Sequence, residues 1–131
     1  MPMILIGIGG AIGAALRYSV SILFFTTTET AAFPFATVAV NLAGCFLLGL
    51  LSSGFEQKIT ANPNYLSALK TGLIGSFTTF STFSVEVIQL LQHHSYFFAI
   101  LYIFISAIFG FLFVALGMKF GRSLWERKEP V

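Results

Sequence analysis

Between Gly72 and Glu86 the chain reads GLIGSFTTFSTFSVE, its densest run of groups capable of chemistry. Six hydroxyls, on Ser76, Thr78, Thr79, Ser81, Thr82 and Ser84, fall within nine residues. Phe77, Phe80 and Phe83 recur every three residues among them, which sets Phe80 and Phe83 near one another on a helix face. A phenylalanine stripe usually serves packing. Here the rings, with their positive edges, are interleaved with hydroxyl donors, and that combination can replace the water around a small anion. Asn41, in an otherwise apolar run, adds two amide donors that are costly in hydrocarbon unless they find a partner. Glu86 and Arg17 are the ionisable side chains of the apolar runs. Glu86 is placed to pair with Tyr102 or to sit protonated, and Arg17 to snorkel to an interface or to line an aqueous vestibule.

Other chemistries lack their residues. There is no nucleophile–base constellation, phosphate loop or HExxH motif, and polar groups concentrated in one segment suit conduction better than catalysis. The string GIGGAIG has Ile12 at the third glycine position of a dinucleotide fingerprint and no strand before it. Cys45 belongs to no metal or redox spacing and reads as a small packing residue, and the adjacent His93 and His94 read as a solvated loop pair.

The elements that must hold these residues follow from composition. Of 131 residues, 56% are hydrophobic and 9% charged, whereas an ordinary soluble domain is roughly 25% charged. The fold class is therefore all-α integral membrane, in a single domain. A hydrocarbon core about 30 Å thick takes roughly 20 helical residues to cross, and four spans fit: residues 3–25, 34–55, 65–92 and 96–120, with a tail over 121–131. The first begins without a basic n-region and is expected to stay in the mature chain. Pro34 suits a first helical turn, EQKITANPN reads as a polar loop, and Tyr96 and Trp125 read as interfacial anchors. Gly9 and Gly13, Ala39 and Ala43, and Gly44 and Gly49 supply the small residues at which membrane helices approach closely.

The third span is expected to be broken over Gly75 to Thr79, where glycines followed by β-branched threonines weaken a helix and would free carbonyl oxygens for a cation. The alternative is that the hydroxyls bond back to their own helix and bend it. The net charge of +2 comes mostly from Lys119, Arg122, Arg127 and Lys128, interleaved with Glu126 and Glu129. This is a juxtamembrane pattern rather than a nucleic-acid surface. Together with Lys58 and Lys70 it favours both termini on the cytoplasmic side, with Arg17 near the other face.

The segments GGAIGAALRY (9–18), TVAVNLAGCFLLG (37–49) and GLIGSFTTFSTFSVE (72–86) together resemble the Fluc, or CrcB, family of bacterial fluoride channels. The resemblance covers the whole chain. It implies a dual-topology antiparallel homodimer in the bacterial inner membrane, with two fluoride pores and a central sodium ion. The main-chain carbonyls of Gly75 and Thr78 would hold the sodium. Phe80 and Phe83 would form the aromatic box, Asn41 the pore amide, and Ser81, Thr82, Ser84 and Tyr102 a polar track. Arg17 would stand in the vestibule, and Glu86 would be a pore carboxylate. The implied activity is passive fluoride efflux and resistance to fluoride toxicity. The alternative is a four-span dimeric proton-coupled multidrug exporter, which would need a glutamate in the first span, where this chain has Arg17.

Overall fold

A computed structural model describes residues 2–27 and 33–126. Glu29, Arg127, Lys128 and Glu129 lie outside them, as does the side chain of Trp125. The described residues are helical, with no strand. Helix α1 is Pro2–Thr27 and α2 is Phe35–Leu50, followed by a π-helical segment Leu51–Phe55 and a short α3, Glu56–Ile59. Helix α4 is Pro63–Ser67, continued by a π-helical segment Ala68–Ile74 and then α5, Gly75–Phe77. Thr78 and Thr79 are extended, with φ/ψ of −78°/158° and −150°/121°. Helix α6 is Phe80–Gln92 and α7 is Tyr96–Glu126.

Two boundaries differ from the sequence reading. The stretch EQKITANPN winds into helix from both sides, so only Thr60 to Asn62 separate α3 from α4. Asn62 accepts a hydrogen bond from the Asn64 amide at 3.0 Å, and Pro63 occupies the first turn, so α4 starts as soon as the cap permits. Gly54, at φ 94°, takes the bend that lets α3 follow α2. At the other end α7 runs through residues 121–126, expected as tail, because Arg122 and Glu126 are good helix formers.

Among the described residues, three helices are long and apolar enough to cross a membrane, over Pro2–Phe24, Phe35–Gly54 and Tyr96–Leu124. They pack in two close seams. α1 lies along residues 68–77, and α2 along α7. A Cβ on Gly9 would stand 2.5 Å from the Ala68 carbonyl oxygen and one on Gly72 2.5 Å from that of Ile6, so only glycine allows this approach from both sides. Gly13 meets the Leu73 carbonyl in the same way. On the second seam Gly49 faces the Val114 carbonyl, and Gly117 that of Phe46. In lipid, where apolar burial gives no net drive, such backbone contact is what holds helices together. Cys45 joins this seam, its Sγ 3.7 Å from the position a Cβ on Gly110 would take. The best-buried side chains include Val40, Leu51, Ile74 and Tyr102, between α2, α7 and the middle of the chain.

Candidate functional site

The extended pair Thr78–Thr79 determines the site, because it leaves backbone groups that a continuous helix would have paired. Ile74 O still accepts from the Thr78 amide at 3.0 Å and from the Thr78 hydroxyl at 3.0 Å. Ser76 O accepts from Arg17 Nε at 3.1 Å. Gly75 O meets only the Thr78 hydroxyl, at 3.5 Å, and the carbonyls of Phe77 and Thr78 accept no hydrogen bond among the described residues. Gly75 itself is exposed on this single chain.

Asn41 bridges the extended pair. Its Nδ2 donates to Thr79 O at 3.0 Å while its Oδ1 accepts from the Thr79 amide at 2.8 Å, so the side-chain amide stands in for the missing main-chain partner of Thr79. The Thr79 hydroxyl then caps α6, accepting from the Thr82 amide at 3.1 Å and donating to Thr82 Oγ1 at 3.0 Å.

About two turns further along, Glu86 receives two hydroxyls. Thr37 donates to Oε1 at 2.8 Å and Tyr102 donates to Oε2 at 2.7 Å. Thr37 and Tyr102 are buried, and Asn41 follows Thr37 by one turn, so α2 ties both ends of this polar stretch to one helix face. An aromatic row runs beside it: Phe80 to Phe83 at 5.8 Å between centroids, Phe83 to Tyr102 at 4.8 Å, and Tyr102 to Phe33 at 5.6 Å.

The structure thus brings together Asn41, Phe80, Phe83, Thr82, Glu86 and Tyr102, with Arg17 one turn before the extended pair. Arg17 turns to Ser76 rather than outward, and the rest of its guanidinium makes no bond among the described residues. The hydroxyls divide. Thr78 and Ser84 bond back to their own segments, Ser84 Oγ donating to Phe80 O at 2.9 Å, which is the bending role weighed as the alternative. Ser81, exposed, lies 3.3 Å from the Thr79 hydroxyl. His93 and His94 are exposed at the far loop, where His94 takes a φ of 57° and its Nδ1 sits 3.0 Å from the Tyr96 hydroxyl. Sequence reasoning missed Thr37 and Phe33. A hydroxyl one turn before Asn41 on the same face was the available signal for Thr37, and Phe33 gave none.

Residues 4–118 match the family described as CrcB-like protein, Camphor Resistance (CrcB). The chain belongs to this family. Among its CrcB relatives, a fluoride-specific ion channel FluC of Hydrogenobaculum is 44% identical over 117 residues, covering 89% of this chain and 94% of the relative. The FluC of Thermosipho melanesiensis is 43% identical over 123 residues, 94% of this chain and 98% of the relative. That of Acidobacterium capsulatum is 38% identical over 124 residues, 95% and 98% respectively. With three helices able to span, this CrcB chain is a multi-pass bacterial membrane protein.

Proposed function

We propose that the chain is a passive, fluoride-selective channel of the bacterial inner membrane that lets fluoride leave the cytoplasm and so confers resistance to it. Relatives named for fluoride conduction support the ion, and the observation that carries the pathway is the aromatic row beside a chain of hydroxyls and the Asn41 amide. Residues 63–92 cross as the third of four spans, interrupted at Thr78 and Thr79. Hydrogen bonding decides which donors remain for an anion. Thr37, Tyr102 and Ser84 have used theirs, whereas the second Asn41 N–H, the Thr82 hydroxyl and the outer guanidinium N–H groups of Arg17 remain. Fluoride would pass these donors and the positive edges of Phe80 and Phe83, with Glu86 kept occupied by its two hydroxyls.

The conducting unit is an antiparallel pair of copies inserted in opposite directions, with two pores. Helix α6 buries none of its residues, and Phe80 is 79% exposed on one chain, so half of the pathway's wall is absent until a second copy supplies it. The carbonyls of Gly75 and Thr78, the first nearly free and the second without a hydrogen bond, fit a sodium ion, a hard cation that prefers oxygen ligands. Bound there, sodium would supply a fixed positive charge at the interruption and complete the backbone groups that the helix leaves open. A drug-proton exporter is not favoured, since α1 carries no carboxylate.

The test is ion efflux from liposomes under a potassium and valinomycin potential, fluoride against chloride, with Phe80→Ile alongside. Fluoride loss with chloride retained, slowed tenfold or so by the substitution, is expected for a ring that lines the path at a cost of ~1.4 kcal/mol or more. A folded dimer that moves neither ion would sink the proposal.

A further inference from the structure

The end of α7 has a feature that conduction does not use. At 1.5 Å per residue the apolar stretch Tyr96–Leu124, 29 residues, is about 43 Å long against a hydrocarbon core of about 30 Å, so its last turns stand in the headgroup layer. There an open, shallow groove of about 460 Å³ on one exposed face of α7 runs along Ala115, Met118, Lys119, Arg122, Ser123 and Glu126. Its inner end is apolar, its middle carries two cations and a hydroxyl, and its outer end a carboxylate. Two other described basic residues at this side are engaged: Lys58 donates to the Leu124 carbonyl, closing the end of α7, and Lys70 pairs with Glu56. Lys119 and Arg122 make no hydrogen bond or ion pair among the described residues, and Arg122 does not pair with Glu126 although one turn separates them.

We infer that this groove binds the headgroup of phosphatidylethanolamine. The order along the helix, apolar then cationic then anionic, is the order of that lipid: chain, phosphodiester, ammonium. Lys119, Arg122 and Ser123 donate to the phosphate oxygens, and Arg122 offers the planar fork that suits them. Glu126 accepts from the ammonium N–H groups. Ala115 and Met118 lie under the first methylenes. Phosphatidylglycerol brings the same phosphate but leaves Glu126 without a cation, and phosphatidylcholine has no N–H to donate to it.

The test uses the intact protein in phosphatidylcholine nanodiscs doped with equal trace amounts of phosphatidylethanolamine and phosphatidylglycerol, with native mass spectrometry counting the lipids that stay bound. Preferential retention of phosphatidylethanolamine over both is expected. Lys119→Gln with Arg122→Gln should weaken retention about thirtyfold, at roughly 1 kcal/mol for each cation near the surface. Glu126→Gln should keep phosphate binding and erase the preference over phosphatidylglycerol. Unchanged size-exclusion profiles establish that the variants fold, since all three positions lie outside the helix seams. Retention that ignores the Lys119 and Arg122 changes would overturn the site, and stronger retention of phosphatidylglycerol by the unaltered protein would overturn the role of Glu126.

Discussion

Residues 63–77 and residues 80–92 are joined by two extended threonines and are built on different terms. The first stretch presses its backbone onto α1, with Gly72 facing Ile6 while Gly9 and Gly13 face Ala68 and Leu73. The second, α6, has no glycine, presents Phe80 and Phe83 instead, and rests on α7 through side chains without fully burying any residue of its own. Both stretches carry hydroxyls in apolar surroundings, so composition does not separate them. Glycine placement does, because only a side chain of hydrogen lets two helix backbones meet. The first stretch is thereby fixed by its own chain, and the second depends on whatever covers its outer face. Asn41 spans the junction, holding Thr79, the second of the two residues whose backbone belongs to neither helix.

This contrast can be broken most severely from the first stretch. Gly13→Leu has to displace the Leu73 backbone, and overpacking of that kind costs up to about 3 kcal/mol or more. Denaturation in detergent should show a lower midpoint, or the preparation should yield no monodisperse protein. At the junction, Asn41→Asp replaces the donor facing Thr79 O with a second acceptor, at about 1–3 kcal/mol for an unsatisfied half-buried group. The variant should melt earlier and lose fluoride efflux, whereas a variant with native stability and native flux would show that the bridge does nothing. Thr37→Val removes one of the two donors to Glu86 while keeping the shape of the side chain. A loss of about 0.5–1.5 kcal/mol is expected for the hydrogen bond, measured against Thr37→Ser, which restores the donor. Ser84→Ala should have the smallest effect, within about 0.5 kcal/mol and with unaltered flux, because its hydroxyl is turned back to the Phe80 carbonyl. A large drop in flux for Ser84→Ala would place that hydroxyl on the ion path instead.

How much of this was legible in the sequence varies by residue. Asn41 and Glu86 stood out because polar groups in apolar runs need partners, and each has partners here. Which partners was another matter. Thr79 lies 38 residues from Asn41 and Thr37 lies 49 from Glu86, separations that no local pattern spans. Arg17 was open between an interface and a vestibule, and its partner, Ser76 O, is exposed by the chain path rather than by any residue type. The hydroxyls read as one group in the sequence but divide into capping, back-bonding and free members, since a rotation about one side-chain bond decides whether a serine or threonine serves its own helix or another.

By itself the sequence determined the medium and the inventory: a chain 56% hydrophobic and 9% charged must live in lipid, and its polar groups must then serve a purpose there. It also offered candidates for close backbone approach, of which Gly9, Gly13 and Gly49 meet the carbonyls of Ala68, Leu73 and Val114. Only the tertiary structure decided which carbonyls stay open, which donors remain for an ion, and that Thr37 and Tyr102 share Glu86. The reason is physical. Partition into lipid depends on residue type and sums along the chain, whereas a hydrogen bond depends on distances of about 3 Å and angles that only the packed helices fix.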